Sequence, residues 1–106
     1  MMKVVDVMFK KEGMSREEFR SYWKDTHAPV AKEMPGLTEY VQNHALVDAE
    51  GNEPPYDGFD ELYFESQEAM EEALATQEGQ MTLNDLPNFC DMSKTLGIAV
   101  EEVKIN

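Results

Sequence analysis

Apolar residues in this chain recur at two periods, and the order in which those periods alternate leaves few folds open. Lys3 to Phe9 is short and rich in Val, Met and Phe, and Lys10-Lys11-Glu12-Gly13 stops it. It reads as a strand, with Val5, Val7 and Phe9 on one face and Val4, Asp6 and Met8 on the other. Both faces are largely apolar, so both call for cover. The period then changes to that of a helix. Ser15 supplies a hydroxyl cap, Glu17 and Glu18 place acids at the positive end of the helix dipole, and Glu18 stands at the capping-box spacing. Met14 and Phe19 are set to form the accompanying hydrophobic staple. Phe19, Tyr22, Trp23, Thr26, His27 and Val30 follow as one helical stripe, with Arg16, Arg20, Lys24 and Asp25 on the other side. Pro29 disfavours the helical conformation at Ala28, which predicts a stop or kink near His27 or Ala28, a ragged continuation to Met34, and an end at Pro35-Gly36.

Period two returns twice. Leu37 to Val47 is a strand candidate with Tyr40, Gln42, His44 and Leu46 on one face. Asp48 to Gly58, with its glycines and prolines, is a loop, and Phe59 to Glu65 is the third strand. Ser66 caps a second helix with a narrow stripe of Ala69, Met70, Ala73 and Leu74. A short helical piece over about Gly79 to Leu86 follows and ends at Pro87, and Thr95 to Ile105 forms the last strand. Strand, helix, strand, strand, helix, strand is the ferredoxin-like split βαβ plan: an α+β fold whose four-stranded antiparallel sheet carries its helices on one face. The other face would be bare in a monomer, with residues such as Tyr40 or Val41 and Leu62 or Tyr63 upon it. A two-fold partner is the simplest cover, so a homodimer enclosing a small-molecule pocket is expected.

Bulk properties exclude several functions. At 106 residues the chain suits one domain, spanning 1–106, without repeats or an interdomain linker. Its 22 acidic residues outnumber 9 basic ones for a net charge of −13, which repels phosphate backbones and anionic lipid, so nucleic acid and membrane are not expected partners. No apolar run reaches the length of a membrane span, and Asp6 interrupts the only stretch that might pass for a signal core, which makes a cytoplasmic protein the default. Cys90 is the only cysteine, so neither an intrachain disulfide nor a cysteine metal cluster is possible. Acidic neighbours disfavour its thiolate, and it reads as a packing residue. The glycines are isolated turn residues rather than a phosphate loop, and no dinucleotide or nucleophile-elbow signature occurs. No cofactor and no metal are expected.

Three ionisable residues are candidates for chemistry. His27 lies on the apolar stripe of the first helix and therefore faces the sheet. It is either a proton-transfer group beside a cavity or a structural histidine satisfied near a helix end. His44, in mid-strand, orients a ligand or moves a proton if its face meets a cavity, and does neither if it meets solvent. Asp6 lies between two valines, where it either lines the pocket with a raised pKa or sits at an edge near water or Lys104. Trp23, Tyr22, Tyr40 and Tyr63 are core residues first and candidate pocket walls second. The two histidines lack a nearby acid at ligand spacing, which argues against a structural zinc site.

The run Ser15-Arg16-Glu17-Glu18-Phe19-Arg20-Ser21-Tyr22-Trp23-Lys24-Asp25-Thr26-His27-Ala28-Pro29-Val30 resembles the opening helix of the EthD family, with its Tyr-Trp pair and His-Ala-Pro segment. Leu37 to His44 resembles that family's second strand, Tyr56 to Phe64 with Ser66, Glu68 and Ala69 its third strand and second helix, and Asp85, Phe89 and Asp91 the segment before its last strand. The resemblance covers nearly the whole chain. It implies a dimeric α+β barrel, a fold shared with muconolactone isomerases, cofactor-free monooxygenases and polyketide-tailoring enzymes. The family takes its name from a gene product linked to the oxygenase-dependent breakdown of ethyl tert-butyl ether. The expected function is therefore small-molecule metabolism (xenobiotic, aromatic or polyketide-type), with His27 assisting proton transfer in an isomerase, lyase or cofactor-free oxidoreductase reaction on a small hydrophobic oxygenated compound. The alternative is a non-catalytic binding or accessory protein for an oxygenase system. The resemblance supports His27 as a functional position and Trp23 only as a pocket or core wall.

Overall fold

A computed structural model describes residues 1–106. Four strands, β1 (Met2–Met8), β2 (Glu39–His44), β3 (Gly58–Phe64) and β4 (Leu96–Glu101), form one sheet in the order β2-β3-β1-β4, with every neighbouring pair antiparallel. The helices α1 (Arg16–Ser21), α2 (Ala28–Ala31), α3 (Gln67–Ala75) and α4 (Gln77–Asp85) complete the ferredoxin-like plan expected from the sequence. Both hydroxyl caps form. Ser15 Oγ accepts from Glu18 N while Glu18 returns a bond to Ser15 N, and Ser66 Oγ accepts from Ala69 N.

Strand lengths differ from expectation at both polar ends. β2 covers six residues rather than the whole of Leu37 to Val47, and β4 ends at Glu101 rather than Ile105. β2 has a single partner, β3, and β4 has only β1, so each ladder stops where the one neighbour stops. The short helical piece begins at Gln77, earlier than expected, because Thr76 Oγ1 caps it by accepting from Gly79 N. It ends in a 3-10 turn over Leu86–Asn88, where Pro87 interrupts the ladder.

The first helix does not stop at His27. Between α1 and α2 the chain runs through a π-helical segment, Tyr22–His27, in which Ala28 N–H reaches back five residues to the Trp23 carbonyl. Pro29 has no N–H to offer and its ring would crowd a carbonyl one turn earlier. A wider turn just before it accommodates both faults and lets the helix pass through the proline to Ala31. The Trp23 carbonyl also accepts from the Gln42 side chain at 2.9 Å, which ties this turn to β2.

Two buried clusters hold the helices to the sheet. Met8, Phe19, Trp23, Phe89 and Cys90 form one, with Met14 packed against it as the staple requires, and Met34, Leu62, Phe64 and Ala73 form the other. Trp23 sets the spacing between helix and sheet. Its ring lies so close to Gly58 that a Cβ there would stand 2.8 Å from the indole and collide with the Asn43 carbonyl as well. The opposite sheet face carries Val5, Val7, Leu96 and Ile98, the last two 54% and 53% exposed, around a network in which Lys3 donates to Glu61 at 2.6 Å and to Glu102 at 2.9 Å.

Candidate functional site

Helices cover β2, β3 and β1 but leave β4 open, its residues exposed but for one. The gap between α4 and this edge opens into a cavity of about 390 Å³ on the helix-covered face. Val4, Leu62, Phe64, Met70, Leu74 and Leu86 make most of its wall apolar, and Leu83 and Met92 stand at its exposed margin. Six polar side chains also line it: His27, Tyr40, Asp6, Asp60, Thr82 and Thr95. The expected pocket is thus present, but within one chain, between helices and sheet.

His27 is held from behind. Its ring is 2% exposed, lies 4.9 Å from the Phe89 ring, and its Nδ1 is 2.7 Å from Asp85 Oδ2. Asp85 also accepts from the Tyr22 hydroxyl at 2.6 Å and from Asn88 Nδ2 at 2.9 Å. Burial alone would raise the Asp85 pKa, but these three hydrogen bonds outweigh it and hold the carboxyl below its ordinary value. A carboxylate kept ionised must accept, so Nδ1 carries the hydrogen. In the neutral ring Nε2 is then the basic nitrogen, and the structure shows no hydrogen bond to it.

Asp6 and Asp60 stand opposite each other on β1 and β3. The parity that puts Val4, Leu62 and Phe64 inward puts both carboxyls inward too. Burial raises the Asp6 pKa, and the neighbouring Asp60 and His27 side chains offset part of the effect. Asp60 is raised much further, by burial first and then by the adjacent Asp6 charge. Asp60 Oδ1 is buried without a partner, as is Trp23 Nε1. The indole N–H lies near enough to temper the Asp60 shift without reaching good hydrogen-bond geometry. Tyr40 completes this group. Its hydroxyl accepts from Gln42 at 2.9 Å, and burial together with the Asp60 charge raises its pKa.

Of the residues singled out in the sequence, His27, Asp6 and Tyr40 therefore meet at the cavity. His44 does not line it. Its ring stacks on the outer side of Trp23 at 4.4 Å and donates from Nε2 to Gln42 Oε1 at 2.9 Å. Burial, aided by Arg20 and Lys24, lowers the His44 pKa. Trp23 and Tyr22 form the layer behind the wall, Trp23 in the core and Tyr22 as a prop for Asp85. Tyr63 belongs to the opposite sheet face, where it meets Lys3 and Glu102, because it alternates with the inward Leu62 and Phe64. Cys90 is buried beside this site, and burial with the Asp60 and Asp6 charges pushes its thiol up to about 12. No three His, Cys, Asp or Glu side chains are grouped to hold a metal ion.

Sequence reasoning missed Asp60 and Asp85. Asp60 had a signal: in the alternation Asp60-Leu62-Phe64 it is an acid on an apolar strand face, as Asp6 is. Asp85 stood in the segment that resembles the family's, but nothing local gave it a role, since it meets a histidine 58 residues away.

Residues 11–93 match the EthD domain. The chain belongs to the EthD family. Among relatives, an uncharacterized 11.0 kDa protein from the thcB-thcC intergenic region of Rhodococcus erythropolis is 27% identical over 84 residues, covering 79% of this chain and 81% of its own length. An EthD family protein from Bacillus halodurans superposes with a TM-score of 0.84 at 22% identity, over 97% of this chain and 99% of its own. A dimeric ferredoxin-like protein from Jannaschia gives 0.67 at 21% identity over 96% and 100%, and SnoaB, a cofactor-independent oxygenase from Streptomyces nogalater, gives 0.66 at 13% over 97% and 93%. The fold of this EthD protein is thus shared by proteins of different sequence, and its site must be read from its own residues.

Proposed function

We propose that this EthD protein acts in small-molecule metabolism, binding a small hydrophobic oxygenated compound in the cavity and using His27 to move a proton. One observation carries the reading: a buried imidazole, fixed in one tautomer by an ionised carboxylate, leaves its basic nitrogen unoccupied beside an apolar cavity. Apolar walls bind the body of such a compound, and their few polar groups orient its oxygens. The proton taken by Nε2 leaves an imidazolium that Asp85 stabilises across 2.7 Å. Isomerisation, elimination and cofactor-free oxidation all begin with such a transfer, and SnoaB supports the last as an activity that this fold accommodates. The protein works as a homodimer joined through the open sheet face, a reading supported by the exposed Leu96 and Ile98 and by the dimeric Jannaschia protein.

Incubation under air with a panel of neutral phenols, quinols and ketones tests the activity, with oxygen uptake and product mass as readouts. Turnover of a panel member is expected, and His27→Gln should slow it by on the order of 10²–10⁴ while the protein stays folded. Full turnover by the variant overturns the role of His27. Saturable binding with no product from any compound favours a binding or accessory protein instead.

A further inference from the structure

Asp6 and Asp60 line the cavity, and the proton transfer assigned to His27 gives them no part. Neither forms a salt bridge, and Asp60, 2% exposed, leaves Oδ1 without a partner at the cavity wall. The backbone seats the pair with care. Cross-strand register sets the two residues side by side, and Gly97 lies opposite Asp6 on the other flank. A Cβ at Gly97 would stand 2.5 Å from Asp6 Oδ1, so the missing side chain is what leaves room for this carboxyl.

We propose that Asp6 and Asp60 share one proton and together form a polar subsite for a carbonyl or hydroxyl oxygen of an uncharged cavity ligand. This inference rests on the cavity being the ligand site and names the class of ligand. Two carboxyls side by side in an apolar wall cannot both ionise without mutual repulsion, and one shared proton removes it. The groups facing them are His27, Tyr40, Trp23 and Cys90, none of which is a fixed cation able to neutralise a second charge. Burial and the Asp6 charge both favour retention of the proton on Asp60. With one proton the pair offers a donor and an acceptor, the two functions that a ketone or hydroxyl oxygen can meet. A ligand carboxylate would bring a second negative charge into this apolar wall and be refused.

Infrared difference spectroscopy of the whole protein at neutral pH reads the shared proton without turnover. A carboxylic-acid carbonyl band that shifts in heavy water is expected, lost in Asp60→Asn and displaced in Gly97→Ala, where Asp6 must turn aside. Absence of the band in the wild type, or its persistence unchanged in both variants, overturns the proposal. Titration calorimetry with 1-tetralone and 1-naphthoate reads the ligand class. The ketone should bind at least about tenfold tighter than the carboxylate, a gap that narrows in the Asp6→Asn, Asp60→Asn double variant. Equal binding of the two, or binding of neither, overturns the assignment. His27-dependent turnover without the band removes the acid pair and leaves the proton-transfer reading, whereas the band without turnover does the reverse.

Discussion

At the scale of single residues, the cavity is governed by which groups can lose charge. His27 has its tautomer chosen by Asp85, and Asp85 is kept ionised by three donors. Asp6 and Asp60 receive no such donors, so burial decides for them, and both bind protons more tightly in the folded chain than in the unfolded one. The stability linked to those protons is present in full below the ordinary carboxyl value of 3.8 and is lost as pH rises through the raised values. Asp60→Asn removes that loss. Its melting temperature should exceed that of the wild type at neutral pH, with relief of about 1 kcal/mol raising Tm by roughly 4–8 °C in a domain of this size. The difference should shrink in acid below 3.8. Thermal melts of both proteins across pH check this, and a gain that persists unchanged in acid contradicts the linkage.

Between elements, the closest fit is that of the π turn against β3. Trp23 reaches the sheet because Gly58 offers bare backbone, and the widened turn holds His27 toward Asp85 while the helix continues through Pro29. Gly58→Ala forces a methyl group into the indole and the Asn43 carbonyl, at a backbone φ of 156° that favours glycine. Chemical denaturation should show a loss of about 1–3 kcal/mol, the usual cost of overpacking a filled core. Because this contact also sets the height of the helix above the sheet, the variant should bind cavity ligands more weakly even where it remains folded.

Across the whole molecule, the helices shield one side of the sheet and leave Val5, Val7, Leu96 and Ile98 on the other. The proposed dimer buries this face. Ile98→Glu tests it well, since a side chain already 53% exposed can become charged with little effect on the single chain, whereas two-fold pairing would bring two new acids into an interface. Sedimentation should show a dimer for the wild type and a monomer for the variant, with little change in the unfolding of the single chain. A wild type that sediments as a monomer at micromolar concentration would refute the pairing. No helix is long and apolar enough to cross a membrane.

Local order was already written in the chain: the succession of strands and helices, the caps at Ser15 and Ser66, and the parity that turns Asp6 inward all follow from neighbours within a few residues. Tertiary structure alone decided that the helix would widen at Tyr22–His27 rather than break, that Asp85 would meet His27, that Asp60 would lie beside Asp6, and that His44 and Tyr63 would be left outside the cavity. The division has a physical basis. Periodicity and capping act over single turns and adjacent pleats. Partners tens of residues apart are chosen by strand register and by how closely a ring such as Trp23 can approach bare backbone, and both are set only once the elements have docked.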